Sequence, residues 1–155
     1  VAALFILQYF TGEESKLFGG MSLHFSLGLT LMLLVLIRLG WRVTRAPPPP
    51  PENAPAWERL IARAMHAAWY VVMIALPLSG ILYRQFRGKA TSWFGLFDLP
   101  PWMVIDKAAA QVAENLHKSL VTVFLVLLAL HVAAALKHHF IDRDQVLRGM
   151  LTGAR

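Results

Sequence analysis

The sequence contains no cysteine. That absence excludes disulfides, thiolate-ligated zinc, iron–sulfur clusters and covalent c-type haem attachment. Charge is scarce too. Asp, Glu, Lys and Arg make up 15% of the 155 residues, where a soluble domain carries about 25%. The stretch 119–136 has none of them. No internal repeat or low-complexity run appears apart from the five prolines at 47–51.

What fills the chain instead is apolar. Hydrophobic residues make up 57%, and the mean hydropathy is +0.52. Three apolar segments, about 21–41, 64–83 and 116–137, are long enough to cross a bilayer. The opening run VAALFILQYF reaches only about 15 Å as a helix. It lacks the basic residues before it and the cleavage site after it that mark a signal peptide. It therefore reads as the second half of a spanning helix (residues 1–10) whose first half precedes Val1. The expectation is an all-α, four-helix transmembrane bundle forming one domain, 1–155. Pro77 falls inside the third helix, where membrane helices tolerate a kink.

The net charge of +6 is no sign of nucleic-acid binding, because the basic residues flank the apolar spans. Arg42, Arg45, Arg59 and Arg63 lie in the connection between the second and third helices. Lys137, Arg143, Arg148 and Arg155 follow the fourth. By the positive-inside rule, the 42–63 loop and the C-terminus are expected in the cytoplasm of a bacterial cell, with the protein in its inner membrane. The prolines at 47–51 are expected to be extended polyproline II. Trp93, Phe94, Phe97 and Trp102 in the 84–115 connection suit an aromatic layer at the opposite interface with membrane lipid.

The histidines carry the chemistry. His117 and His131 are fourteen residues apart on the fourth helix. Fourteen steps of 100° fall about 40° short of four turns, so both rings share a face, roughly 21 Å apart along the axis. His24, near the outer end of the second helix, matches His117 in depth. Two imidazoles at one depth on different helices are what a bis-histidine haem requires. His131 would then ligate a second haem at the cytoplasmic side, its partner expected upstream of Val1. Arg38, fourteen residues from His24, shares its face and suits an inner-haem propionate; snorkelling to the surface is the competing reading. Gly28, one turn from His24, leaves room for a flat macrocycle. For any single histidine, an interhelical hydrogen bond is the ordinary alternative. His66, Lys137, His138 and His139 gather at the inner depth. They are candidate polar and proton-carrying contacts for a quinone; a structural hydrogen bond for His66 and headgroup anchoring for the others compete with that role.

The ordered pieces HFSLGLTLMLLVLIRLGWR, the proline-rich loop, MHAAWYVVMIALPLSG, WFGLFDLP and HKSL…HVAAALKHHF resemble the prokaryotic cytochrome b561 family. That family is similar to the cytochrome b subunits of nickel–iron hydrogenases and formate dehydrogenases. The resemblance covers essentially the whole chain. It implies two b haems, with His24 and His117 matching the ligands of one and His131 one ligand of the other. It also implies electron transfer linked to the quinone pool, with superoxide oxidation by ubiquinone attributed to some members. Arg84, Arg87 and Lys89 would suit attraction of such an anion. The main alternative is a haem-bearing membrane anchor that docks a redox partner or a larger respiratory complex. A metal or proton transporter comes third.

Overall fold

The computed structural model describes residues 2–13, 20–45, 55–137 and 140. Among them are four helices: α1 (Ala2–Glu13), α2 (Met21–Thr44), α3 (Ala56–Phe86) and α4 (Lys107–Lys137). A two-stranded antiparallel hairpin, β1 (Thr91–Trp93) and β2 (Phe97–Leu99), lies between α3 and α4. The proline run at 47–51, His138, His139 and the tail from 141 fall outside the described residues.

Three helices, α2, α3 and α4, are long and apolar enough to cross a membrane. The protein is an integral membrane protein. The helices outrun the apolar spans because caps, not hydropathy, set their ends. Asp106 starts α4: its Oδ1 accepts from the amides of Ala108 and Ala109, both at 2.9 Å, as an N-cap does. α3 begins at Ala56, after Pro55 and eight positions before hydropathy turns continuous. At 31 residues each, α3 and α4 extend about 46 Å, more than a hydrocarbon core of roughly 30 Å needs.

Few side chains are buried, as expected where lipid replaces water on the outer faces. Phe5, Leu31, Val35, Val72, Leu76 and Phe124 form the central cluster. Leu33, Ile37, Val71, Val126 and Leu130 point outward.

The connection expected to carry the aromatic layer folds in its middle as the hairpin. Phe94 and Gly95 both have positive φ, 50° and 72°, the pairing a type I′ turn requires. Phe94 is held there because its amide donates to Ser26 Oγ at 2.9 Å. Trp93 does not lie flat at the surface. Its indole reaches in beside α2 and donates to Thr30 Oγ1 at 3.0 Å. Phe94, Phe97 and Trp102 stay exposed. Gln85, fully buried at the end of α3, accepts from the Trp102 amide at 2.8 Å and pins the chain after the hairpin. The connection from α3 to α4 is thus a folded cap on one end of the bundle.

Candidate functional site

Two cavities lie along the bundle. The first, about 230 Å³, opens beneath the hairpin cap and is lined by His24, His117, Gly28, Gly80, Thr91 and Arg84 among others. His24 and His117 face each other across it with ring centres 6.3 Å apart and planes at 79°.

Each ring is oriented by its neighbouring helix. His24 Nδ1 lies 3.1 Å from the Gln8 carbonyl oxygen and His117 Nδ1 lies 3.0 Å from that of Leu76. A carbonyl can only accept, so both Nδ1 atoms carry the proton and both Nε2 atoms keep a free lone pair. A hydroxyl completes each contact. Thr11 donates to the Gln8 carbonyl at 2.9 Å and Ser79 to the Leu76 carbonyl at 2.7 Å. The hydroxyl oxygens stand 3.3 Å and 3.0 Å from the same Nδ1 atoms. Gln8 also donates from Nε2 to the His24 carbonyl at 2.7 Å, tying α1 to α2. This is the outer-shell arrangement that fixes the tautomer of metal-bound histidines.

The spacing fits a metal shared by two imidazoles. A metal–imidazole bond of about 2.0 Å, plus about 1.2 Å from nitrogen to ring centre, puts two trans rings about 6.4 Å apart. Among the described residues, no group of three or more His, Asp or Glu side chains could hold a bare metal ion. Two ligands alone suit a metal that brings its own equatorial nitrogens, as in haem.

The second cavity, about 320 Å³, lies further along the bundle and is lined by Arg38, Arg42, His66, Trp69, Tyr70 and His131, with Phe5, Met73, Phe124 and Leu128. Of the residues singled out from sequence, His131, Arg38 and His66 meet here. The polar lining offers donors and no carboxylate, and Trp69 Nε1 is buried without an acceptor. Such a wall is complementary to an anionic or carbonyl-bearing group. Lys137 lies 3.8 Å from Glu58, an ion pair between α4 and α3.

Aromatic rings separate the cavities. Phe5, which lines both, stacks on Phe124 at 5.4 Å. Trp69 packs edge-on against Phe124 at 5.4 Å and against His131 at 6.0 Å.

Gly28 borders the first cavity. It also makes room for a protein group, since a Cβ there would meet Gln8 Nε2 at 3.3 Å. Sequence reasoning missed Gln8, Thr11 and Ser79. It read Arg42 as a loop charge, although α2 runs on to Thr44.

A family model described as prokaryotic cytochrome b561 matches residues 1–153. The chain belongs to the prokaryotic cytochrome b561 family. It is 41% identical to "Cytochrome b561 homolog 2" of Escherichia coli (strain K12) over 145 residues, covering 94% of this chain and 76% of that protein. "Cytochrome b561 homolog 1" of the same organism is 32% identical over 131 residues, 83% of this chain and 72% of its own length. The Yersinia pestis protein named "Probable superoxide oxidase CybB" is 31% identical over 135 residues, 86% of this chain and 75% of its own. As a cytochrome b561 the protein is a membrane electron-transfer protein with b-type haem.

Proposed function

We propose that this cytochrome b561 carries two b haems and moves electrons from a donor at the hairpin end of the bundle, on the periplasmic side, to quinone at the opposite, cytoplasmic end. The observation that carries the reading is the His24–His117 pair, 6.3 Å apart across a cavity with both Nδ1 atoms held by carbonyls. A b haem supplies a reversible one-electron couple when bound. His24 and His117 would hold one of them through Nε2, and His131 would supply a ligand to the other. The cluster of Phe5, Leu31, Leu76 and Phe124 keeps water from the space between the cavities. Arg38 and Arg42 balance negative charge in the second cavity, and His66 with His138 or His139 carries protons to quinone.

Superoxide is the donor with specific support. One relative is named for superoxide oxidation. Arg84 lines the first cavity, lies over the Phe25 ring and hydrogen-bonds to neutral acceptors, Thr91 Oγ1 and the Ala90 carbonyl. Its charge is left to act on an approaching anion. Two superoxide ions, two protons and one quinone give two dioxygen molecules and one quinol.

The test is haem per polypeptide and redox difference spectra of the intact protein carrying His24→Ala, His117→Ala or His131→Ala. His24→Ala and His117→Ala are expected to lose the same haem, and His131→Ala the other. Two full haems with unchanged low-spin spectra in the first two variants would rule the pairing out. Ubiquinol formation and oxygen return in a superoxide-generating system then check the donor. Spectrally intact protein with no superoxide-dependent quinol would remove superoxide and leave the haem assignment standing.

A further inference from the structure

The helices α1 and α3 present one device twice. Gln8, Thr11 and Gly12 stand to His24 as Leu76, Ser79 and Gly80 stand to His117. In each case a carbonyl, a hydroxyl three residues later and a glycine one further embrace one edge of an imidazole. The segments QYFTG and LPLSG share only the glycine, yet the contacts are equivalent. Each hydroxyl uses its proton on the carbonyl, so it faces the ring with lone pairs. Each Nδ1–H therefore lies between two acceptors and cannot swing away without weakening one of them. At position 12 the glycine matters for a steric reason, because a Cβ there would meet His24 Cε1 at 3.0 Å, whereas at position 80 it would meet His117 Cε1 in ordinary contact at 3.4 Å.

An axial imidazole can turn about its bond to the metal. Only contacts at Nδ1 and along the ring edge oppose that rotation. Here the two rings are held at 79° to each other. Crossed imidazole planes leave the iron orbitals that mix with ligand π systems nearly equal in energy. The ferric low-spin centre then gives a strongly anisotropic EPR signal, whereas parallel planes split those orbitals and give an ordinary rhombic one.

We propose that Thr11, with Gly12 beside it, and Ser79 are positioning residues that hold the two imidazole planes crossed and thereby set the electronic state of the centre they share. The proposal rests on the reading that His24 and His117 ligate one haem. The hydroxyls act through the histidines and touch no substrate. Their role is separable from mere packing because it predicts a spectroscopic change at constant haem content.

The experiment compares ferric EPR spectra and haem per polypeptide of the intact protein with Thr11→Val, Ser79→Ala, the double variant and Thr11→Ser. Thr11→Val and Ser79→Ala are each expected to keep their haem and move one strongly anisotropic signal to lower g, leaving the other haem's signal in place. The double variant is expected to move it further. Thr11→Ser, which keeps the hydroxyl, leaves it unmoved. His117→Ala identifies the signal by abolishing it. If that signal survives His117→Ala, the ligand assignment itself fails. If His117→Ala abolishes it but Thr11→Val, Ser79→Ala and the double variant leave it unmoved, the positioning role is overturned alone. Should Thr11→Val lose the haem outright, Thr11→Ser decides: retention supports the hydroxyl's role, and loss overturns it.

Discussion

Gly12→Ala and Gly80→Ala add the same methyl at equivalent places, yet the structure predicts opposite outcomes. At position 12 the new carbon meets His24 Cε1 at 3.0 Å and Nδ1 at 3.2 Å. At position 80 it meets His117 Cε1 at 3.4 Å and Nδ1 at 3.5 Å. Carbon contacts are optimal at about 3.5–4.0 Å. The methyl at 80 therefore seats against the ring, and the one at 12 is about 0.5 Å too close. His24 cannot retreat freely, because moving off α1 stretches its 3.1 Å bond to the Gln8 carbonyl. Overpacking of this kind costs about 1–3 kcal/mol. Replacing glycine by alanine inside a helix returns up to about 1 kcal/mol, and less at Gly12, next to the last residue of α1. The balance for Gly12→Ala is about 1–2 kcal/mol against the site, or roughly 5–30-fold weaker haem retention there. Gly80→Ala lies inside α3 and keeps the helix gain without the clash. It is expected to leave haem binding unchanged and to raise thermal stability by up to about 1 kcal/mol. Haem per polypeptide during titration with added haem, together with the thermal midpoint in detergent, measures both. Equal losses in the two variants, or a larger loss in Gly80→Ala, would refute the steric argument.

Arg38→Gln removes a cation from the second cavity. It is expected to lower the midpoint potential of the haem proposed for His131 by about 1 kcal/mol, roughly 40 mV for a one-electron couple, with the other haem unmoved; an unchanged midpoint in potentiometric titration would take Arg38 out of that site's electrostatics. The lack of cysteine makes single-cysteine labelling clean: in intact cells an impermeant maleimide is expected to label Leu96→Cys, at the 74% exposed hairpin tip, and not Ala56→Cys at the start of α3. The reverse pattern would invert the proposed orientation.

The juxtaposition of His24 and His117 was legible because depth along a helix is arithmetic on a fixed rise. The helix ends were not, since the Asp106 side chain and Pro55 set them after apolar periodicity has stopped. Arg42 follows from the same point. One turn beyond Arg38 on a continuing helix, it joins the second cavity, although composition alone assigns it to a loop. The hairpin was hidden because its strands are three residues long and its turn puts Phe94, a poor left-handed residue, at φ 50°. Thr11 and Ser79 were hidden for a deeper reason. Their partners are the backbone carbonyls of Gln8 and Leu76, which every residue possesses and no side-chain pattern reveals. A hydroxyl next to glycine on each helix that pairs with a histidine is the only trace in the sequence.

The two ends of the bundle are built on different principles, and the difference bears on function. At the hairpin end, neutral hydrogen bonds do the positioning: Gln8 to His24, His117 to Leu76, Trp93 to Thr30, Phe94 to Ser26 and Trp102 to Gln85. Without a hydrophobic drive between helices in lipid, such bonds and close packing determine helix placement. Two imidazoles set there in advance lower the ordering cost of binding between them. The second cavity instead collects Arg38, Arg42, His66 and the unpaired indole of Trp69. Cations and donors held inside a membrane are costly unless something balances them. That cavity is therefore complementary to negative charge, and to groups that become negative or take up protons on reduction. Histidines positioned by neutral hydrogen bonds at one end and a cationic, protonatable cavity at the other are consistent with the proposed path, in which single electrons enter at the first and a proton-coupled reduction is completed at the second.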